Sequence, residues 1–133
     1  MVYLLDTTVL IDLLRQKTEA WDFISNNSNN KFLTSSICEA EVWEGVFREK
    51  GSNFETRKKA LEDLLESLFK IIPFDSEQAQ IAGRVRAGLS AKGDLTGDID
   101  ILIAASAMAN DAILLTKNIK HFSRIPGLEL KEL

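Results

Sequence analysis

The sequence has very little of what disulfide-linked, zinc-binding or membrane-spanning proteins require. It contains one cysteine, Cys38, and one histidine, His121, so it offers neither an internal disulfide nor a Cys/His zinc cluster. No apolar run approaches the ~20 residues of a transmembrane helix. No basic stretch followed by an apolar one marks a secretory signal. We therefore expect a protein of the reducing cytoplasm that makes no membrane contact.

The chain also lacks an excess of positive charge and the glycine-rich motifs of nucleotide-binding proteins. Its formal net charge of −4 argues against a broad basic surface that grips nucleic acid. A nuclease stays possible, because divalent cations bound by acidic residues make a loaded site less negative than the formal count. The length of 133 residues, with 45% hydrophobic and 27% charged residues, predicts one globular domain over residues 1–133.

Short apolar runs alternate with longer amphipathic segments along the whole chain. Strands are predicted at residues 2–5, 32–34, 70–72, 113–115 and 128–130, with helices between them in the order β-α-α-β-α-α-β-α-α-β-α-β. Strands separated by helices form parallel pairs. The fold class is therefore α/β, with a mostly parallel central sheet of four to five strands and helices on both faces.

The stretch from Gly97 to Asn118 predicts a buried central helix that is opened by two aspartates. The residues after Asp100 are apolar on nearly every side of the helix, so neighbouring elements should cover it. Asp98 and Asp100 are two positions apart and point about 200° away from each other. The simplest interpretation makes Asp98 the cap and leaves Asp100 on the packed side, where a carboxylate needs a cation.

Further acidic and amide side chains fall where parallel α/β folds place their ligands. Asp6 follows the first strand and precedes a helix, Glu41 lies on the helix predicted at residues 37–48, and Asn118 follows the fourth strand. Gly45, one turn after Glu41, predicts the close approach of another element. Oxygen ligands suit Mg²⁺ or Mn²⁺. The alternative is that Asp6 only caps its helix.

Four motifs in this order resemble the PIN-domain family, specifically the VapC-type ribonuclease toxins of toxin–antitoxin pairs. The motifs are YLLDTTVLIDLL, SSICEAEVWEGV, GDIDILIAASA and LLTKNIKHF, and together they cover nearly the whole chain. The resemblance places the family's first acid on Asp6, its second on Glu41 and its Asp-x-x-Ile-Ala pattern on Asp100. The late Thr-x-Asn position falls on Asn118, with Thr116 before it.

The sequence departs from the family pattern at one corner of the implied site. Many relatives carry an acid three residues after the position of Asn118, where this chain has His121. The number of bound ions, one or two, is therefore left open, as is a compensating role for Asp98 as an outer-shell or second-ion ligand. Thr7 and Thr116 are candidates to hydrogen-bond a water or a carboxylate in the site. His121 is not assigned to the metal.

The resemblance implies an endoribonuclease that depends on Mg²⁺ or Mn²⁺ and forms the toxin half of a type II pair. Asp6 and Asp100 would hold the principal ion, and Glu41 would complete the shell or position water. RNA would be the substrate, and a small antitoxin would insert a segment into the acidic pocket. Family members commonly form symmetric dimers, and we expect a homodimer. The candidate dimer residues are Trp43, Val46 and Phe47.

Two other functions fit parts of the pattern. A phosphoryl-transfer domain of the receiver or haloacid-dehalogenase type would also place Asp6 after a strand. Thr7 and Thr8, however, stand where those chemistries need a second acid. A nuclease-silent PIN-like module that only binds protein is disfavoured by the joint presence of Asp6, Glu41 and Asp100.

Overall fold

Five parallel strands form one sheet at the centre of the molecule. A computed structural model describes residues 1–49, 51–68, 70–94 and 96–133. The spatial order is β3-β2-β1-β4-β5, and every neighbouring pair is parallel. The strands are β1 Val2–Leu5, β2 Lys31–Ser35, β3 Lys70–Ile72, β4 Ile113–Thr116 and β5 Leu130–Glu132. The predicted α/β class and element order are confirmed.

The described part of the chain contains seven helices, which connect the strands. They are α1 Thr7–Leu14, α2 Thr18–Asn26, α3 Ser36–Arg48, α4 Phe54–Ser67, α5 Ser76–Ala91, α6 Asp98–Ala109 and α7 Ile119–Phe122. Within the described ranges, no helix combines the length and apolarity needed to cross a bilayer. The predicted end of α4 at Phe69 lies outside the described residues.

Three helices begin at short polar residues that accept a hydrogen bond from the first turn. Asp6 accepts from the Thr7 N–H, Ser35 from the Cys38 N–H and Asp75 from the Gln78 N–H. These caps satisfy amide groups that would otherwise have no partner at a helix start. Asp6 directly follows β1 and Ser35 is the last residue of β2, so the end of each strand is also the start of a helix.

The helix α6 is the covered central helix that the sequence predicts. Its residues Ile103, Ala104, Ala105 and Ala107 are buried, and α5, α3, α7 and β4 pack around it. A buried polar link ties α6 to α5, since the Ser106 hydroxyl donates to Gln78 Oε1 at 2.6 Å. Small side chains let these elements approach α6 closely, which holds the acidic start of the helix in a fixed place.

Several local expectations were wrong. Asp98 is the first residue of α6 rather than its cap, and Gly97 occupies the cap position. The strand β5 begins at Leu130 instead of residue 128, because Leu130 is the residue in register with Leu114. A β-carbon added at Gly45 would meet no described heavy atom within 4 Å, so this glycine faces open space rather than a close neighbour.

Two aromatic residues are more exposed than the helical pattern predicts. Phe47 is 62% exposed, because Val46, one position earlier, takes the inward direction on α3. Trp21 is 40% exposed, while Ala20 is buried instead. The Trp21 indole N–H donates to the Leu13 carbonyl at 3.0 Å, which holds the ring across the surface between α1 and α2.

Candidate active site

Asp6 lies at the carboxyl end of the middle strand and is the most enclosed acid of the site. Asp6 is only 4% exposed to solvent. Oδ1 accepts the Thr7 backbone N–H at 2.7 Å, and Oδ2 accepts the hydroxyls of Thr8 at 3.0 Å and Thr116 at 2.6 Å. These three donors hold the carboxylate in a fixed orientation.

Thr116 reaches Asp6 because β4 lies directly beside β1. Leu5 pairs with Leu115, and the Asp6 N–H continues the ladder to the Leu115 carbonyl at 3.0 Å. The next residue, Thr116, is fully buried and accepts the Asn118 N–H at 3.0 Å while its hydroxyl donates to Asp6. The predicted polar role of Thr116 is therefore a hydrogen bond to the first acid.

Glu41 approaches the same end of the sheet from α3. Its Oε1 atom accepts the Thr7 hydroxyl at 2.6 Å, a contact between residues 34 positions apart. Thr7 thus joins two acids, with its N–H on Asp6 and its hydroxyl on Glu41. Glu41 itself is exposed, so its carboxylate borders the open side of the pocket.

Asp100 completes the acidic pocket from the first turn of α6. Burial raises the pKa of its carboxyl, and the charges of Asp6 and Glu41 raise it further, while His121 opposes the rise. Two like charges can act on Asp100 only when they lie near it. Asp6 and Glu41 therefore lie within electrostatic range of Asp100, and Thr7 links them to each other by hydrogen bonds.

Asp98 points elsewhere and is bound by an arginine. Its carboxylate forms an ion pair with Arg86 of α5 at 2.7 Å, and both side chains are exposed. Asp100 instead lies 3.4 Å from Nδ1 of His121. The two aspartates thus have different partners in different directions. An outer-shell role for Asp98 stays a prediction.

The fourth corner of the pocket is formed by the turn that contains Asn118 and His121. The Asn118 backbone N–H supports Thr116, and its exposed side chain caps no helix end among the described residues. His121 lies one turn further along α7, which brings its imidazole to Asp100. The i, i+3 spacing of Asn118 and His121 places these two residues on one side of the turn, but it does not predict the contact with Asp100.

Two further features of the site have no clear sequence signal. Thr8 appears in the sequence only as a possible cap, yet its hydroxyl binds Asp6. Asp12 is buried on α1 and pairs with Lys117 at 2.7 Å. Lys117 lies more than 100 positions further along the chain, so no periodic pattern connects these two residues.

The donor atoms of the pocket suit a hard divalent cation. Among residues 1–49, 51–68, 70–94 and 96–133, no three Asp, Glu, His or Cys side chains are arranged to hold one ion together. Mg²⁺ commonly uses only one or two carboxylates and keeps several waters. Because Asp6, Glu41 and Asp100 concentrate negative charge in one pocket, the residues fit a cation of this kind.

Cys38 does not contribute a nucleophile to this pocket. It is fully buried beneath Ser35, and burial raises the pKa of its thiol to about 11. The Asp6 charge raises that pKa further, whereas a hydrogen bond from Ser35 lowers it. A thiol with such a pKa stays protonated and unreactive near neutral pH. The chemistry of the pocket therefore rests on oxygen ligands.

Comparison with known proteins agrees with the geometry of the pocket. A family model described as PIN domain matches residues 3–128. The chain is similar to the ribonuclease VapC2 of Rickettsia felis, with 35% identity over 98% of this chain and 97% of the relative. It is also similar to the tRNA(fMet)-specific endonuclease VapC of Salmonella typhimurium, with 28% identity over 98% and 96%.

A solved structure shares the whole fold. The chain superposes with a TM-score of 0.92 and 33% identity on a chain of the crystal structure of VapBC2 from Rickettsia felis bound to a promoter DNA fragment. The match covers 100% of this chain and 99% of the other. The fold described above is therefore shared with a related protein over its full length.

Proposed function

Since the chain belongs to the PIN-domain family, we propose that it is a cytoplasmic endoribonuclease of the VapC type, the toxin of a type II toxin–antitoxin pair. The observation that carries the proposal is the grouping of acids at the end of the sheet: Thr7 hydrogen-bonds to both Asp6 and Glu41, and the charges of these two acids act on Asp100. The relatives named ribonuclease and endonuclease support RNA as the substrate. The family assignment leaves the receiver and haloacid-dehalogenase alternatives without support.

Asp6 and Asp100 would hold Mg²⁺ or Mn²⁺, with Glu41 as a third or water-mediated ligand. When bound, such an ion supplies an activated water and a positive charge against the phosphate. Thr8 and Thr116 hold Asp6 in one orientation through hydroxyl donors. Thr7 holds the Glu41 carboxylate in place through a hydrogen bond from its hydroxyl to Oε1. The chain thus preorganises its acids before an RNA arrives.

The two aspartates of α6 provide a matched test of this assignment. Asp100→Asn removes a charge that lies in the acidic pocket, whereas Asp98→Asn removes an exposed charge that pairs with Arg86. We expect Asp100→Asn to lower kcat by more than about 100-fold, beyond the effect typical of outer-shell changes. Asp98→Asn should stay within about threefold of the parent protein, as surface substitutions usually do.

Cleavage should be measured on purified tRNA, rRNA and mRNA with Mg²⁺ or Mn²⁺ and with EDTA. Initiator tRNA is the first substrate to test, because the Salmonella relative is named for it. Metal removal should abolish cleavage. Equal activity with EDTA, or full activity of a folded Asp100→Asn protein, would contradict the proposed mechanism.

A groove beside Glu41 suits the antitoxin. It has a volume of about 530 Å³ and lies between α1, α3 and α4. About half of its lining is apolar and can accept one face of an amphipathic segment, and Glu41 can accept a basic residue of that segment. The solved VapBC complex supports such a partner. The apolar side of the lining consists of Ile11, Leu14, Val42, Gly45, Val46 and Ala60, and the polar side consists of Arg15, Gln16, Glu41, Glu49, Thr56 and Arg57.

Gly45 allows the groove to be filled without disturbing the monomer. Because a β-carbon at Gly45 meets no described atom within 4 Å, Gly45→Leu should fold normally while occupying the groove. We expect the variant to cleave RNA but to escape inhibition by the proposed antitoxin. Gly45→Ala serves as the matched control and should stay inhibited. Equal inhibition of both variants would show that the antitoxin does not bind in this groove.

An aromatic cluster with one exposed ring, Phe47, supports the proposed homodimer. Trp43 stacks on Phe47 with ring centroids 5.6 Å apart, and Phe47 contacts Phe54 at 5.8 Å. Val46, which the sequence pattern adds to this patch, is buried instead. Exposed aromatic rings of this kind are typical of self-association surfaces. Sedimentation velocity should show a dimer that Phe47→Ser converts to a monomer, and a monomeric parent protein would contradict the proposal.

A further inference from the structure

An ion pair beside the acidic pocket takes no part in the mechanism proposed above. Asp12 lies on α1 and is only 8% exposed, and its Oδ2 atom is 2.7 Å from Nζ of Lys117. Lys117 belongs to the turn between β4 and α7 and is about half exposed. Because Asp12 is enclosed, solvent screens the attraction between its carboxylate and the Lys117 ammonium group less than it screens the exposed ion pairs elsewhere on the described surface.

The same turn is tied to α1 by hydrogen bonds that converge on Asp6. The Lys117 backbone N–H donates to the Thr8 hydroxyl oxygen at 3.2 Å, and that hydroxyl donates to Asp6. On either side of Lys117, Thr116 donates to Asp6 and Asn118 donates to Thr116. The turn therefore supplies one donor to the first acid directly and supports a second donor through Thr8.

Thr8 and Asp12 are four positions apart and share one face of α1. Residues at i and i+4 lie one above the other on a helix, so both face the turn that follows β4. Lys117 meets this face twice, through its backbone at Thr8 and through its ammonium group at Asp12. Two separate attachments fix both the position and the orientation of the turn.

We propose that Asp12 and Lys117 are positioning residues, which hold the turn 116–118 against α1 and so keep the Thr8 and Thr116 hydroxyls on Asp6. The catalytic consequence rests on the proposed function, whereas the positioning itself does not. Without the ion pair, the turn is held by single hydrogen bonds, and the Asp6 carboxylate loses the fixed orientation that a metal ligand needs.

Asp12→Asn tests the proposal because the amide has the shape of the acid but lacks its charge. A matched control is Asp63→Asn on α4. It removes an exposed ion pair in which Lys59 Nζ lies 2.8 Å from Asp63 Oδ1. Hydrogen exchange of the Lys117 and Asn118 amides reports the attachment of the turn directly. We expect both amides to exchange about tenfold faster in Asp12→Asn, with strand β4 unchanged, and neither to change in Asp63→Asn.

Kinetics and metal binding report the consequence for the site. In Asp12→Asn, kcat should fall about tenfold, as for other outer-shell changes, and Mn²⁺ affinity should weaken by a similar factor. KM should stay unchanged, because the substitution removes no contact with RNA. Lys117→Arg retains the charge and should keep most of the activity.

Three results would overturn the proposal. The first is unchanged exchange of the two amides in a folded Asp12→Asn protein. The second is a loss confined to KM, which would make Lys117 a phosphate contact. The third is a loss of similar size in Asp63→Asn.

If the parent protein cleaves no RNA, the proposed function fails, yet amide exchange still decides the positioning role. If Asp12→Asn does not fold, the same comparison on Asp12→Glu, which keeps the charge but displaces it, decides the matter.

Discussion

Replacing Thr116 by valine should reveal how strongly the end of β4 supports the first acid. Valine has almost the shape of threonine but lacks the hydroxyl. That hydroxyl is fully buried, donates to Asp6 at 2.6 Å and accepts the Asn118 N–H at 3.0 Å. Thr116→Val therefore leaves a buried carboxylate without one donor and a backbone amide without its acceptor.

The expected cost follows from these two contacts. A hydrogen bond to a charged group contributes about 1.5–3 kcal/mol, and a neutral one contributes about 1 kcal/mol. Together they predict that the free energy of unfolding falls by roughly 2–4 kcal/mol in Thr116→Val. Thr116→Ser keeps the hydroxyl and removes one methyl group, so it should cost only about 1 kcal/mol.

Urea unfolding in metal-free buffer, followed by tryptophan fluorescence, measures both variants against the parent protein. The same proteins should be compared for RNA cleavage with Mg²⁺. We expect Thr116→Val to lose stability and activity and Thr116→Ser to retain most of both. A valine variant within about 0.5 kcal/mol of the parent protein, the range of surface substitutions, would refute the argument that this hydroxyl supports Asp6.

Two further predictions concern the stability of the metal-free protein. Because burial and neighbouring charges raise the pKa of Asp100, its charged form destabilises the fold at neutral pH, and that penalty disappears as falling pH protonates it. Asp100→Asn should therefore raise Tm in EDTA at pH 7, and a gain that fails to shrink toward acid pH would refute this. Ser106→Ala leaves the buried Gln78 Oε1 without its donor and should cost about 1–3 kcal/mol. The exposed Ser123→Ala should stay within about 0.5 kcal/mol, and equal urea midpoints would contradict the predicted difference.

The order of elements was predictable because the ends of strands and helices are set by residues that are close in sequence. Apolar runs end at residues that cap the next helix, as at Asp6 and Ser35, so each boundary can be recognised from a few neighbouring residues. The positions of two acids were predictable for a related reason. Asp6 follows β1 and Glu41 lies on α3, which follows β2, and the ends of parallel strands meet at one edge of the sheet. Asp100 lies on α6, which follows another helix, so strand order does not predict its position.

Contacts between distant segments could not be predicted from these patterns. The approach of His121 to Asp100 depends on how α7 turns after β4, and the Asp12–Lys117 pair depends on the packing of that turn against α1. The burial of Val46 beside the exposed Phe47 could not be predicted either, because both are apolar residues of one helix. Only the surrounding helices decide which of two adjacent apolar residues is covered.

The pairing of β1 with β4 determines when this site is assembled during synthesis. The contact from Thr116 to Asp6 spans 110 positions, and sheet pairings of such long range form late and slowly. A growing chain that has emerged only as far as α6 already contains Asp6, Glu41 and Asp100 but lacks the strand that orients the first of them. We therefore expect the nascent polypeptide to be harmless to the translation machinery that makes it. Activity would begin only after β4 has docked beside β1.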